Sequence, residues 1–362
     1  VADRFGRRPL MIWPIFAYAG ISVLGALAPS FWVLASLAMA GSFMMAGMNP
    51  AVHAASRDLT PRMGRAMVYA WVSLAFTIGA LMSTAIAAQT LPVWPGWRSQ
   101  YWIAAGLGAF TALAIFIFYR DLSVRVRGQI LESTEETPAA PTPAADAVAT
   151  NLASAYDDGR SIYRSPRLWL LSAVMIFWAL TYVTVSGYVP TFLVQHYDLE
   201  PARAASVTSY FWIVFTISVF VSGWLSDRLM VRKTITAFGG LTTGACFLVG
   251  ASLPTGTSES TLMLVWSLTG FFAGFIYPAW CAIYSETAEA ISPHGVGRAF
   301  GITATLSPVS GLFLNLGLPR VVENFGWDTW MTIAGLCCLC VSVLVGFGEG
   351  PWWPQRADAR NT

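Results

Sequence analysis

Ten runs of predominantly apolar residues, each roughly the 20 residues that cross a hydrocarbon core of about 30 Å, leave this chain little choice of solvent. They occupy 9–28, 31–53, 66–90, 100–119, 167–194, 203–226, 234–253, 260–285, 299–318 and 328–347. Helices at the surface of a water-soluble protein need a polar face, and these runs have none. Charged residues make up 11% of the chain, against about 25% in a soluble domain. No alternation of period two appears that would build a barrel. The predicted fold class is an all-α polytopic membrane protein with ten transmembrane helices.

The basic residues orient these spans. With the sides of the membrane alternating from Val1, 18 Lys and Arg fall on the first side and 3 (Arg98, Arg203, Arg320) on the second. Positive charge stays inside, so the first side is expected to be cytoplasmic and the membrane to be the bacterial inner membrane. The net charge of +2 is uninformative beside this asymmetry. The five cysteines lie within spans and are read as soft packing residues. Between residues 120 and 166 the apolar runs stop; "TEETPAAPTPAADAVATNLAS" has too little apolar bulk to pack and reads as a partly disordered cytoplasmic loop. The expected organisation is a first bundle at 1–119, this loop, a second bundle at 167–347 and a cytoplasmic tail at 348–362.

The two halves repeat one another. "VADRFGRR" (Val1 to Arg8) matches "LSDRLMVRK" (Leu225 to Lys233), and "AGMNPA" (Ala46 to Ala51) matches "AGFIYPA" (Ala273 to Ala279). "PRMGRA" (Pro61 to Ala66) matches "PHGVGRA" (Pro293 to Ala299), and "GWRSQYW" (Gly96 to Trp102) matches "GWDTW" (Gly326 to Trp330). Four spans precede the loop and six follow it. Two spans are therefore expected before Val1.

A charged D-R-x-G-R-R turn between two spans, repeated half a chain later, resembles the hallmark of the major facilitator superfamily. Asp3, Arg4, Gly6, Arg7 and Arg8 fill it, and the second copy keeps Gly223, Asp227, Arg228, Arg232 and Lys233, with Met230 in place of the glycine. The resemblance implies two pseudo-symmetric six-helix bundles, of which helices three to twelve are here, and a substrate site exposed alternately to each side. It also implies a gate. A carboxylate at a cytoplasmic turn finds the unsatisfied N–H groups and positive dipole of a helix start. Asp3 is expected to meet Gly297–Arg298, and Asp227 to meet Gly64–Arg65.

Span interiors hold no Asp, Glu, Lys or Arg, so intramembrane charges, the usual mark of an ion path, are absent from them. Near the membrane faces, Arg57 beside His53 and Asp58 is a candidate anion contact. Glu286 and Glu289 are read as a solvated helix end, and His196 and Asp198 as loop residues. Mid-span polar and aromatic residues are the candidate cavity lining: Asn49, Trp71, Gln89, Trp178, Tyr182, Thr184, Tyr210, Trp212, Tyr277, Trp280, Tyr284 and Asn315. Aromatic walls with a few polar groups suit small organic solutes. Gly187 with Pro190, and Gly270, Gly274 and Pro278, are expected to break or bend their spans.

These readings converge on a secondary transporter of a small organic solute, a carboxylate or related metabolite, with protons as candidate coupling partner. A monomer in the lipid bilayer is expected, with no cofactor, metal, nucleic acid or enzymatic activity. A drug-efflux antiporter is the alternative, although the third span, "VYAWVSLAFTIGALMSTAIA", lacks the Gly-Pro-x-x-Gly-Gly typical of such antiporters. "SGYVPTFLVQHYDL" (Ser186 to Leu199) instead resembles the matching segment of anion–cation symporters. A truncated, non-transporting membrane protein is the remaining alternative.

Overall fold

The computed structural model describes residues 8–46, 48, 52–53, 55–56, 64–90, 93–94, 96–119, 161–292 and 295–354. Among these no strand occurs. The helices are α1 (Arg8–Ala26), α2 (Phe31–Ala46), α3 (Arg65–Thr90), α4 (Trp97–Phe118), α5 (Pro166–Val183), α6 (Val189–Tyr197), α7 (Pro201–Leu229), α8 (Arg232–Ser252), α9 (Glu259–Ala273), α10 (Tyr277–Ile291) and α11 (Val296–Leu344). A π-helical turn, Thr184–Tyr188, joins α5 to α6. Among the described residues, each apolar run falls mainly in one or two of these helices. The stretches Trp97–Phe118, Pro166–Tyr197, Arg203–Leu229, Arg232–Ser252, Glu259–Ile291 and Val296–Phe347 are long and apolar enough to cross a membrane, with Met11–Ala26, Phe31–Met45 and Arg65–Gly79 shorter apolar segments.

In hydrocarbon every backbone polar group must be satisfied internally, and many hydroxyls inside these helices turn back to a carbonyl of their own helix. Ser172 donates to Leu168 O at 2.7 Å, Thr269 to Val265 O at 2.7 Å and Thr236 to Arg232 O at 3.0 Å. Large apolar side chains point outward from the helices, among them Phe43, Phe110, Phe116 and Val343, an arrangement that water would penalise and lipid does not.

Helix boundaries repeat with the sequence repeats. The second "AG" copy ends a helix, α9 at Ala273. Both "GW" copies start one. Gly96 (φ 146°) precedes α4, and Gly326 (φ 83°) breaks α11 into two helices, each glycine in backbone territory that a side chain would strain. α9 and α10 are two pieces of one span, parted after Gly270 and Gly274. Those glycines let α9 close on α7, since a Cβ on Gly270 would sit 2.5 Å from Phe211 O and one on Gly274 2.7 Å from Ser218 Oγ.

The chain divides into two compact units. The first comprises Val1–Pro61, Ala75–Gly159 and His294–Ala304; the second, Arg62–Leu74, Arg160–Pro293 and Thr305–Thr362. They depart from the two halves of the sequence at the start of α3 and the start of α11. In the first unit α1 packs on α2 and α4, with Gly108 against Ala19 and the Arg98 guanidinium donating to Ala28 O at 3.3 Å. The second unit is cored by Phe192, Leu193, Phe211, Phe247, Trp266 and Trp330.

Candidate functional site

The start of α3 carries two N–H groups with no partner of their own helix, as every helix start does. In the second unit a carboxylate from another helix takes both. Asp227, in the last turn of α7, accepts from Ala66 N at 3.2 Å (Oδ1) and Met67 N at 2.8 Å (Oδ2). Gly223, one turn earlier, makes the approach possible. A Cβ there would lie 3.1 Å from Ala66 O, Ala70 Cβ and Met67 Cα.

The tight turn after α7 brings Arg232 back to the same carboxylate. Met230 closes the helix in the left-handed region (φ 54°), its N–H bonded to Ser226 O at 3.0 Å. Arg232 Nη1 then reaches Asp227 Oδ1 at 2.8 Å and Ser226 Oγ at 3.2 Å, while its Nε donates to Glu286 Oε1 at 2.7 Å. Glu289, three residues along α10 and so on the same face, accepts from Arg65 Nη1 at 2.8 Å. The Arg65 and Arg232 side chains are 4% and 3% exposed, those of Glu289, Asp227 and Glu286 9%, 11% and 19%. Three carboxylates face two guanidiniums, and the positive end of α3 supplies part of the balance. Groups this dry hold together only while all partners are present, because a buried charge left alone is costly.

Glu286 and Glu289 are therefore not a solvated helix end. Their signal lay in two glutamates at helical spacing just past a span, facing the basic residues of the repeated turn. Of the other basic residues of that turn, Arg228 is exposed and rests on the Trp224 ring at 5.1 Å, and Lys233 lies 5.7 Å from the Trp352 ring. Asp3, Arg4, Gly6, Arg7, Asn49, Arg57 and Asp58 lie outside the described residues. Of Arg8, Gln89 and Asn315 the backbone alone is described, in α1, α3 and α11. Gly297 and Arg298 lie half-buried in the first turn of α11.

The aromatic candidates separate into three groups. Trp178 and Tyr182, one turn apart on α5, stack at 4.9 Å; Tyr277 lies 5.7 Å from Trp178, Trp212 lies 5.3 Å from Tyr182, and Phe215 lies edge-on to Trp178. These residues form one continuous aromatic wall within the second unit. Trp280 adjoins it, its ring 6.4 Å from that of Tyr277, and pairs with Tyr284. They stack on each other at 4.9 Å, fully buried, with Trp280 donating to Leu171 O at 3.1 Å and the Tyr284 hydroxyl 2.8 Å from Ser172 Oγ. Their polar atoms are thus engaged by α5. Trp71 and Tyr210 are 62% and 45% exposed, Trp71 edge-on to Phe220. Thr184 is buried and accepts from Trp330 Nε1 at 3.2 Å.

The sequence matches the family model of the Major Facilitator Superfamily over residues 1–314 and 204–351. The chain belongs to the major facilitator superfamily. Among curated members it is 27% identical over 365 residues to the 4-hydroxybenzoate transporter PcaK of Pseudomonas putida, covering 96% of this chain and 78% of that one. It is 25% identical over 352 residues to a gallate transporter of the same species, covering 90% and 75%. Among solved structures, the human organic anion transporter MFSD10 superposes with a TM-score of 0.65 at 20% identity, over 95% of this chain and 78% of that one, and so shares the fold. As a superfamily member the chain is a multi-pass membrane protein of the secondary-transporter class. The membership also gives the buried carboxylate–helix contact a context: Asp227 and Arg232 belong to the second copy of the superfamily's hallmark turn.

Proposed function

We propose that this transporter carries a hydroxylated aromatic carboxylate, of the 4-hydroxybenzoate type, across the bacterial inner membrane by alternating access with protons as the coupling ion. It acts as a transporter and not as an enzyme. The observation that carries the substrate is the aromatic wall of Trp178, Tyr182, Tyr277 and Trp212. Such rings accept a planar aromatic solute edge-on or offset-stacked, which an aliphatic acid cannot exploit. The relatives named for hydroxybenzoate and gallate support the same class. Arg57 is proposed as an anion contact, and the skew of 18 basic residues to 3 supports a cytoplasmic loop and C-terminus.

The Asp227 cluster is proposed as the latch that holds the cytoplasmic end closed. Its bonds join the end of α7 to the start of α3, and both N–H groups lose their acceptor if these elements part. The same role is proposed for Asp3 with Gly297–Arg298. Titration calorimetry with 4-hydroxybenzoate on the purified chain tests the substrate reading. Trp178→Ala is expected to weaken binding by about 10-fold, with an aliphatic dicarboxylate bound by neither protein. Equal affinity in parent and variant would overturn the role of the wall.

A further inference from the structure

We infer that α6 is a hinged flap whose outer pin, the His196–Asp328 pair, tightens as pH falls. The inference rests on α6 and α11 alone and stands whatever the substrate is. α6 is a nine-residue helix set off from α5 by the π turn Thr184–Tyr188. π turns inside helices mark places where register gives way; Gly187 lies within this joint and Pro190 just after it.

One turn of α11 grips both ends of that joint. It begins where Gly326 breaks the helix, so Trp327, Asp328 and Trp330 occupy the first turn of the second piece. Trp330 Nε1 holds Thr184 Oγ1 at 3.2 Å on the near side. At the far end of α6, Trp327 Nε1 donates to Gln195 Oε1 at 3.0 Å, and His196 Nε2 lies 3.3 Å from Asp328 Oδ1. His196 is held in place by Phe192, stacked at 5.2 Å, and by the Tyr197 ring at 4.8 Å.

Of these ties only the imidazole–carboxylate pair changes its charge in the range where histidines titrate, roughly pH 5 to 8. The charged and titratable groups that the surrounding elements bring to this end are Tyr197, Asp198 and Glu200 on α6 and the turn after it, Arg320, Glu323 and Asp328 on α11, and Arg203 on α7. Arg203 is engaged by Glu259 of α9 at 2.7 Å. Below the titration range the pin is an ion pair; above it the pin is a weak polar contact. The Asp328 side chain is 57% exposed, so solvent screens the pair and the effect is modest.

Hydrogen–deuterium exchange of the segment 189–197 in the full chain, in lipid nanodiscs at about pH 5.5 and about pH 8, either side of the imidazole range, reads the flap directly. At the lower pH the parent is expected to be protected ~2- to 5-fold more than His196→Gln and Asp328→Asn. At the higher pH the three proteins converge. Asp328→Asn leaves the imidazole packing intact, so it separates charge from ring stacking. Trp327→Phe, which removes the uncharged tie, is expected to lower protection equally at both pH values. A gap between parent and Asp328→Asn that is the same at both pH values, or absent at both, would overturn the inference.

Discussion

Asp227 is a residue whose two oxygens meet three donors, Ala66 N, Met67 N and Arg232. Asp227→Asn puts an NH₂ where an acceptor stood and removes the charge that Arg232 answers. With the partners nearly dry, the expected loss is about 2–4 kcal/mol, read as a fall in the thermal midpoint of the purified protein. An unchanged midpoint would mean that the carboxylate is better solvated than its 11% exposure implies. Met230 is the opposite case. It sits in the left-handed conformation that the hallmark glycine adopts without strain. Met230→Gly is expected to stabilise by about 0.5–1 kcal/mol, and a destabilised variant would show that the side chain, 4.0 Å from Arg232 through its sulfur, is the larger contribution. Asp227, Arg228 and Arg232 were legible because a charged turn between apolar runs is rare and occurs twice. Glu286 and Glu289 were not, since nothing in a single strand of sequence says which turn a distant helix end will face.

At the scale of helices, the apolar runs located the helices among the described residues, because hydrocarbon imposes one length and forbids unpaired backbone. What they did not give was the internal breaks. α11 runs unbroken through residues 319–325, which had been read as a loop, because those residues keep helical geometry until Gly326. His196, read as a loop residue, lies in the last turn of α6 for the same reason: the helix continues to Tyr197 and is closed by Asp198 in the left-handed region (φ 56°). The breaks expected at Gly187–Pro190 and at Gly274–Pro278 did follow from residue type, through the fixed φ and missing donor of proline. Close approach of helices rests on glycines, and Gly223 is the test case. Gly223→Val forces α7 away from the start of α3, at an expected cost of about 1–3 kcal/mol. Because the two N–H bonds to Asp227 are lost together with that approach, combining it with Asp227→Asn should cost less than the two single effects added. Additive losses would mean that α7 and α3 hold together without the carboxylate.

For the whole molecule, family membership makes the chain a secondary transporter, and its two units each have their own packing. Polytopic class was legible from the length of the apolar runs, and transport from the resemblance of the repeated turn to the superfamily's hallmark. The makeup of the aromatic wall was only partly so. Trp178, Tyr182, Trp212 and Tyr277 come together, while Trp280 and Tyr284, on the same stretch as Tyr277, stack on each other and spend their polar atoms on α5. Rotation about a helix axis decides between these fates, and a run that is apolar all round carries no moment to fix it. The most direct measurement of the central claim is uptake of labelled 4-hydroxybenzoate into proteoliposomes of the purified chain, with and without an inward proton gradient. Gradient-driven accumulation is expected, abolished by a protonophore and strongly reduced in Asp227→Asn. Uptake that is absent from the chain under every gradient, or equally fast in liposomes without protein, would contradict the account.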